Sequence, residues 1–380
     1  MEDFSVSIVY IILSILMVIG LYYGGKSISK GKFGVIAIII FTLNYGLRFG
    51  RGVDYNIYFY IWQDILNGEE INREILFLAF VKFMDVLGLP FQSLIIFQSF
   101  ILVLSFSFIL SHFKKYAKYA MMVIPFLIPI LENLIRQYIG FAFVLIGLYY
   151  YMNKKWIYFS IFSVIAVLFH NVMVVYVVLL VAFSLIKRTL KPRVSIFLYL
   201  LFYLVGNLGM ISYLVSFINF EVLPAHFAFY GNYVEEYFIE GGFGGRKVFV
   251  STAISALYLL MMFYGYKVRD AYDHKYIYFY NLFLFGAITY PLFFNVELVA
   301  RITSSFVFFG CVVWGAIAYH FIDEKKMRLT YACVLFILIN LNFIRTLVIP
   351  PIKHPYNHQY IWNAEGRDVL SIETFNANLE

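Results

Sequence analysis

Long apolar runs alternate with short polar segments from one end of the chain to the other. The first run matches the length of roughly 20 residues that a helix needs to cross a bilayer. The short, strictly alternating segments that a membrane β-barrel needs do not occur. The pattern therefore predicts an all-α polytopic membrane protein of about twelve spans. The predicted spans are 5–25, 33–47, 91–112, 119–132, 134–152, 156–170, 172–186, 194–218, 247–266, 275–294, 302–321 and 328–349.

One apolar segment, INREILFLAFVKFMDVLGLP at 71–90, departs from this pattern. It is short, contains Lys82 and Asp85, and ends at Pro90. If it crossed the membrane, every later basic loop would change sides, which the distribution of Lys and Arg opposes. We therefore expect an in-plane or re-entrant helix on the outer surface.

The basic residues gather in short loops between the spans. The chain is 62% hydrophobic and carries 29 Lys and Arg against 22 Asp and Glu. Eighteen of the 29 lie in six loops that hold only four acidic residues. By the positive-inside rule these loops face the cytoplasm, so both termini lie outside. The basic excess therefore reflects topology, and no nucleic-acid partner is expected. The loops are GKSISKGK, KKYAKY, NKK, KRTLKPR, KVRDAYDHK and DEKKMR.

The long connections all fall on the predicted outer side. We interpret 1–350 as a single multi-span membrane domain and 351–380 as an extracytoplasmic tail. The outer segments 48–90 and 219–246 are long, whereas every inner loop is short. Functional residues concentrate in such long connections, so these two segments are predicted to cap an active site on the outer face.

Arginine outnumbers lysine at this outer side. A lone arginine at a span end often only snorkels to lipid headgroups, and Glu297 and Arg301 have the spacing of a structural ion pair. The joint excess suggests more, because the planar guanidinium binds phosphate or carboxylate with two hydrogen bonds. We therefore expect an anionic ligand in the headgroup plane, such as a lipid phosphate or diphosphate. The outer arginines are Arg48, Arg51, Arg73, Arg136, Arg246, Arg301, Arg345 and Arg367.

Aromatic residues accompany these charges in two places. The stretch RFGRGVDYNIYFYIW contains Tyr55, Tyr58 and Trp62, and the loop 219–246 contains Tyr230 and Tyr233. Such rings form belts at membrane interfaces, and they also stack on sugars. The sequence leaves both interpretations open.

Four local patterns in this chain resemble the EpsG-type family of bacterial exopolysaccharide polymerases, relatives of the Wzy polymerases. They are Arg48-x-Gly50 with Gly52-x-Asp54-Tyr55-x-x-Tyr58, Glu74 ahead of ILFLAF, Asn133-x-x-Arg136-Gln137, and Phe169-His170. The late Arg301 also resembles an arginine of that family, whereas Arg51 departs from the first pattern. The resemblance covers most of 1–310.

The resemblance implies a reaction and a setting. A membrane protein with a GT-C-like glycosyltransferase architecture would polymerise repeat units of exopolysaccharide or O-antigen, carried on undecaprenyl diphosphate, at the outer face of the bacterial plasma membrane. A sugar hydroxyl of one lipid-linked unit would displace the lipid diphosphate from C1 of another. The implied partners are the glycan donor and acceptor, membrane lipids and a chain-length regulator.

The residues fit this chemistry in three roles. Asp54, Glu74 and His170 are candidate catalytic residues, because a base must take the hydroxyl proton. The departing diphosphate needs positive charge, and no Asp-x-Asp metal motif occurs on the outer face, so we expect arginines and no metal or other cofactor. The candidate diphosphate contacts are Arg48, Arg51, Arg136, Gln137, Arg246 and Arg301, and the candidate sugar contacts are Tyr55, Tyr58, Trp62, Tyr230 and Tyr233.

Three other functions compete with polymerisation. An O-antigen-ligase-type transferase would use the same lipid donor and differ only in its acceptor. A flippase or transporter predicts ionisable residues near span centres, which are almost free of charge here. A membrane acyltransferase would place a histidine deeper in the bilayer than His170.

Overall fold

The computed structural model describes residues 2–50, 53–69, 71, 73–124, 134–208, 248–269, 274–293 and 297–324. Regular secondary structure in these residues is helical, and no strand occurs among them. The described residues form two compact units, one within 1–180 and the other within 181–324. The prediction of one membrane domain over 1–350 stays a prediction.

The first unit contains the helices of the N-terminal half. α1 packs against α2, the short helices α3 and α4 contact each other, and α7 packs against both α5 and α8. α9 begins in this unit and ends past its boundary. The helices are α1 (Glu2–Ser29), α2 (Val35–Gly46), α3 (Val53–Asn67), α4 (Ile75–Val86), α5 (Gln92–Leu110), α6 (Ala117–Met122), α7 (Ile135–Met152), α8 (Trp156–Phe169) and α9 (Met173–Ser184).

A glycine sets the distance between α1 and α2. A Cβ atom at Gly24 would overlap the side chain of Ala37, so only glycine allows this approach. The chain turns between the two helices at Gly31, whose φ of +76° is costly for other residues. α2 also packs against α5, which ties the hairpin to the rest of the unit.

One apolar cluster joins the two short helices to the longer ones. Tyr55 and Trp62 of α3 and Phe77 and Val81 of α4 are buried in it, together with Ile135 at the start of α7. These residues recur at helical spacing, so one face of each short helix is apolar. The cluster fixes α3 and α4 across the beginning of α7 and the end of α8. The sequence pattern predicted the helix within 71–90 but not the helix α3 that precedes it.

The second unit contains α10 (Pro192–Asn207), α11 (Val248–Val268), α12 (His274–Phe293), α13 (Glu297–Val307) and α14 (Gly310–Tyr319). α12 packs against α10, α13 and α14. A Cβ atom at Gly206 would overlap the carbonyl of Pro291, so glycine permits the contact between α10 and α12.

Among the described residues, four helical stretches are long and apolar enough to cross a membrane. They are Ile12–Ser29, Gln92–Phe113, His274–Phe293 and Val299–Glu324, and shorter apolar helices occupy most other predicted spans. The span predicted at 302–321 consists of α13, a turn at 308–309 and α14, followed by a π-helical turn at His320–Glu324. The span 328–349 and parts of 119–132 and 194–218 lie outside the described residues, so the count of twelve stays a prediction.

Candidate functional site

The carboxylate of Glu74 connects three elements at the edge of the apolar cluster. Its Oε1 accepts hydrogen bonds from Nδ1 of His170, at 2.9 Å, and from the backbone N–H of Asn171, at 3.1 Å. Its Oε2 lies 2.6 Å from Nη1 of Arg136. Three residues that the sequence marks as separate candidates are thus brought together from positions up to 96 residues apart.

Local structure positions each member of this group. Glu74 immediately precedes α4 and has an extended backbone, so its side chain lies at the N-terminal end of this helix. His170 immediately follows α8, where an extended backbone ends that helix. Arg136 lies in the first turn of α7. The side chains of Glu74, Arg136 and His170 are 9%, 15% and 14% exposed, so the ion pair is largely shielded from water.

The surroundings stabilise the ionised form of Glu74. Burial alone would raise the pKa of this carboxyl group. The hydrogen bond from His170 and the charge of Arg136 outweigh burial and lower the pKa to about 2. A carboxylate with a pKa this low stays ionised near neutral pH, where it balances the charge of Arg136.

The guanidinium of Arg136 has N–H groups that make no hydrogen bond with the described residues. Its contact with Glu74 is short, but the N–H does not point along the line to the oxygen, so the pair is ionic without an aligned hydrogen bond. Within the described part of the chain, its buried Nε also has no hydrogen-bond acceptor. The guanidinium carbon lies 5.7 Å from the centre of the Phe77 ring, a cation–π distance.

Asp54 holds the beginning of α7. Its Oδ2 accepts a hydrogen bond of 2.7 Å from the backbone N–H of Leu134, the residue that precedes this helix. Leu134 has a left-handed backbone, with φ of 61°, which is unusual for a side chain branched beyond Cβ. A carboxylate at a helix N-terminus satisfies a backbone donor and interacts favourably with the helix dipole. Asp54 thereby fixes the turn from which Arg136 projects.

Tyr58 lies beside the same group. Its ring packs edge-on against Phe77, with ring centres 5.9 Å apart. Burial raises the pKa of the Tyr58 hydroxyl, against the lowering influence of Arg136 and Arg73. The phenol therefore keeps its proton at neutral pH and remains a hydrogen-bond donor.

Arg48 occupies a different environment. It is 1% exposed, with Nη1 donating to the carbonyl of Tyr45 at 3.0 Å and Nη2 donating to Oε1 of Gln98 at 2.9 Å. This side chain therefore joins the end of α2 to α5 inside the unit. The structure does not bring it into contact with the Glu74 carboxylate.

Two of the aromatic candidates also pack internally. The Tyr55 hydroxyl donates to Oε1 of Gln92 at 2.9 Å, and the Gln92 amide donates to the carbonyl of Arg48 at 3.1 Å. Burial raises the pKa of Tyr55 to about 12, so this hydroxyl stays a donor. Trp62 is 5% exposed and lies in the apolar cluster.

The remaining candidates lie elsewhere. Gln137 is buried and donates from Nε2 to the hydroxyl of Tyr176 on α9, at 3.0 Å. Arg301 lies on α13 in the second unit, where its carbonyl accepts hydrogen bonds from the hydroxyls of Ser304 and Ser305. Arg51, Tyr230, Tyr233 and Arg246 lie outside the described residues.

Several residues at the site were not selected from the sequence. Phe77 lies under both Tyr58 and Arg136, but apolar helix residues give no signal of such a role. Arg73 was counted only as one of the outer arginines, although it directly precedes Glu74. Gln92 and Gln98 are polar residues in an apolar run, a signal that would have marked them.

The described side chains at the site include few of the groups that bind metal ions. Glu74 and His170 form the one acid–histidine pair at the site, and Arg136 takes up the carboxylate charge. No group of three or more His, Cys, Asp or Glu side chains suited to a metal ion occurs among the described residues. That catalysis needs no metal stays a prediction.

Comparison with protein families decides the assignment. The model of the EpsG family matches residues 31–361, which is most of the chain. The chain belongs to the EpsG family. This confirms the resemblance that the motifs indicate. No curated protein and no solved structure matches the chain.

Membership of the EpsG family gives the site its general context. The family indicates a role as a polysaccharide polymerase and is consistent with glycosyltransferase chemistry. Together with the apolar helices, it indicates an integral membrane protein. The matched range contains Asp54, Glu74, Arg136 and His170, so the whole described cluster falls within the EpsG region.

Proposed function

We propose that this EpsG-family protein polymerises oligosaccharide repeat units carried on undecaprenyl diphosphate. The reaction would occur at the outer face of the bacterial plasma membrane, in a twelve-span protein of GT-C-like architecture. The observation that supports the proposal is the contact of Glu74 with both Arg136 and His170. This contact places a guanidinium with unused donors close to a histidine that a carboxylate orients.

Arg136 would stabilise the leaving group. As the bond between C1 and the diphosphate breaks, negative charge accumulates on the phosphate oxygens. Nε and Nη1 of Arg136 make no aligned hydrogen bond with the described residues, so their N–H groups can point to these oxygens. Loss of one such contact in a shielded site typically costs about 3 kcal/mol, or about a hundredfold in rate.

His170 would act as the general base. Because Nδ1 is directed at Glu74, the neutral ring carries its lone pair on Nε2. The acceptor hydroxyl oxygen attacks C1, the bond from C1 to the diphosphate oxygen breaks, and the hydroxyl proton moves to Nε2. The ionised Glu74 then stabilises the imidazolium, as carboxylates do in acid–base triads. The structure supports this assignment over Asp54, which bonds the start of α7.

The other candidate residues would bind the glycan and its carrier. Tyr58 packs against Phe77, the ring that also lies beside Arg136, and would contact the sugar next to the diphosphate. Tyr55, Trp62, Tyr230 and Tyr233 remain proposed sugar contacts, and Arg48, Arg51, Gln137, Arg246 and Arg301 remain proposed diphosphate contacts. Such contact would require the local packing to change at four of these positions, which are all buried: Arg48, Tyr55, Trp62 and Gln137. Membrane lipids and a chain-length regulator are the proposed partners.

The decisive experiment replaces Arg136 by lysine, which keeps the charge and removes the planar fork. We expect normal expression, loss of most polymer and accumulation of single lipid-linked repeat units in cells. Arg193→Lys, at an exposed position on α10, is the matched control and should leave polymer unchanged. Polymer of normal amount and length from Arg136→Lys would contradict the proposal.

The same cells separate the competing functions. Deletion of the protein should leave single lipid-linked units at the outer face if it is a polymerase. Loss of all externalised units would instead indicate a flippase. Long polymer that remains on the lipid and fails to reach another acceptor would indicate a ligase.

A further inference from the structure

An apolar groove runs along the hairpin that α1 and α2 form, and its volume is about 520 Å³. This volume lies within the range of about 300–1,000 Å³ that is typical of small-molecule sites. Its walls come from both helices, and several of the side chains are about half exposed. The residues that line it include Leu16, Ile19, Tyr23, Ile36, Ile40 and Leu43.

The groove has the length of one bilayer leaflet. It follows α2 from Ile36 to Leu47, and a helix rises about 16 Å over that distance. The hydrocarbon core of a bilayer is about 30 Å thick, so the acyl chains of one leaflet span about 15 Å. The groove therefore fits one acyl chain of a lipid that lies beside the helices.

Four lysines gather at one end of this groove. Nζ of Lys26 lies 5.9 Å from the centre of the Tyr23 ring, which lines the groove. Lys30 and Lys32 lie in the turn between the two helices, and Nζ of Lys114 lies 3.6 Å from the position that a Cβ atom on the glycine between them would occupy. We call these four residues the hairpin lysines.

The turn that contains the hairpin lysines is held by its own backbone. The N–H of Lys30 donates to the carbonyl of Lys26 at 3.3 Å, and the N–H of Lys32 donates to the carbonyl of Ser27 at 3.0 Å. Residues 4–53 and 86–131 contain no Asp or Glu, and they include nearly all of α1 and all of α2, α5 and α6. These segments therefore supply no counter-charge to the lysines.

We propose that the groove between α1 and α2 binds an anionic diacyl phospholipid, with one acyl chain along the groove and the phosphate at the hairpin lysines. Basic pockets beside membrane helices bind anionic headgroups in this way. On the predicted topology this end of the hairpin faces the cytoplasmic leaflet. The lipid would take no part in the chemistry at Glu74, so this site and the polymerase proposal can fail separately.

Orientation of the protein in the membrane is a second role for these lysines, and it predicts a different result. The positive-inside rule depends on the number of basic residues on one side, so any inner lysine contributes to it. A bound phosphate instead depends on lysines that lie close to one point. Lysines at the hairpin and elsewhere should therefore differ in their effect on lipid binding.

The test measures lipid binding to the purified full-length protein by native mass spectrometry. Dioleoyl phosphatidylglycerol and dioleoyl phosphatidylcholine are titrated separately, because they share their acyl chains and differ in headgroup charge. The unaltered protein should bind phosphatidylglycerol at least about tenfold more tightly. Lys26→Gln and Lys114→Gln should each weaken phosphatidylglycerol binding about fivefold and leave phosphatidylcholine binding nearly unchanged.

Matched variants test the two parts of the site. Lys187→Gln removes an exposed charge from the predicted inner loop KRTLKPR and should change neither Kd. Leu43→Trp fills the groove and should weaken binding of both lipids. Ile39→Trp is its control, because Ile39 lies on the same helix outside the groove and is 52% exposed, against 53% for Leu43. Since all these positions are exposed, melting without added lipid should not change.

Three results would overturn the proposal. Equal Kd values for the two lipids, or a preference that survives both Lys26→Gln and Lys114→Gln, would exclude the headgroup site. Equal effects of Leu43→Trp and Ile39→Trp would exclude the groove as the acyl-chain site. If sedimentation shows a dimer that Leu43→Trp converts to a monomer, a second copy of the chain covers the groove instead of a lipid.

Discussion

At the scale of single residues, the candidate site depends on the contacts of the two carboxylate oxygens of Glu74. One carboxylate oxygen holds the end of α8 through His170 and Asn171, and the other faces Arg136. A buried carboxylate with these partners is stable only while it is ionised. Glu74 is thus both a positioning residue for the proposed base and a contact between three segments.

The lowered pKa of Glu74 predicts how stability depends on pH. Its pKa is about 2 in the folded protein against an ordinary value of 4.5, so the ionised form contributes stability above pH 4.5. This contribution, about 3 kcal/mol, decreases as pH falls from 4.5 to 2. Glu74→Gln should therefore melt well below the unaltered protein at pH 7, and the difference should shrink over this range.

Thermal melting of the detergent-solubilised protein at several pH values checks this prediction. Glu69→Gln is the control, because Glu69 is exposed and its replacement should change little at any pH. A constant difference between Glu74→Gln and the unaltered protein from pH 7 to pH 3 would show that the ionised carboxylate does not stabilise the fold.

The sequence indicated the site residues singly but not their association. Glu74, Arg136 and His170 each stood in a motif, yet nothing in a single sequence pairs residues 96 positions apart. For Arg48, in contrast, a sequence pattern suggested a ligand contact where the side chain has partners within the protein. A charge at a span end suggests a ligand, and only packing shows that Gln98 and the carbonyl of Tyr45 already bind this guanidinium.

At the scale of the elements, α3 and the beginning of α7 define where the site lies. The apolar pattern predicted α7 and the helix in 71–90, because burial repeats at helical spacing there. It did not predict α3, whose mixture of tyrosines, Asp54 and Gln63 lacks a long apolar stretch. Contacts with α4 and α7 hold α3 in place, and such contacts are not visible in a local pattern.

Asp54→Asn tests the role of α3 in fixing the first turn of α7. The amide keeps an oxygen acceptor for the N–H of Leu134 but loses the charge at the helix N-terminus. We expect a loss of about 1 kcal/mol in stability and partial retention of polymer synthesis. Asp64→Asn on the same helix is the control. Melting temperature and polymer yield are measured together, and complete loss of polymer at unchanged stability would make Asp54 the base instead of His170.

At the scale of the whole molecule, the proposed direction of the reaction depends on sidedness. The Lys and Arg distribution predicts that the NKK loop before α8 lies inside and that α4 lies at the outer surface. α4 is twelve residues long, about two thirds of a membrane crossing, which favours a helix that does not span. Sidedness and span number follow from charge and length alone, so both stay predictions.

Cysteine labelling in intact cells tests this topology. In a variant without Cys311 and Cys333, single cysteines replace Lys82 on α4 or Lys155 beside α8. A membrane-impermeant maleimide should label Lys82→Cys in intact cells and Lys155→Cys only after the membrane is opened. Labelling in the reverse order would place the site in the cytoplasm, and protection of both positions in intact cells would exclude α4 from the outer surface.

The long interval between Glu74 and His170 has a consequence for biogenesis. During synthesis the carboxylate leaves the ribosome 96 residues ahead of the imidazole that will bond it. α5, α6 and α7 are synthesised in the meantime, so on the predicted topology α4 lies at the outer surface before its acid group has a partner. The proposed catalytic centre is therefore completed late, and a nascent chain arrested before α8 has emerged would contain Glu74 without His170.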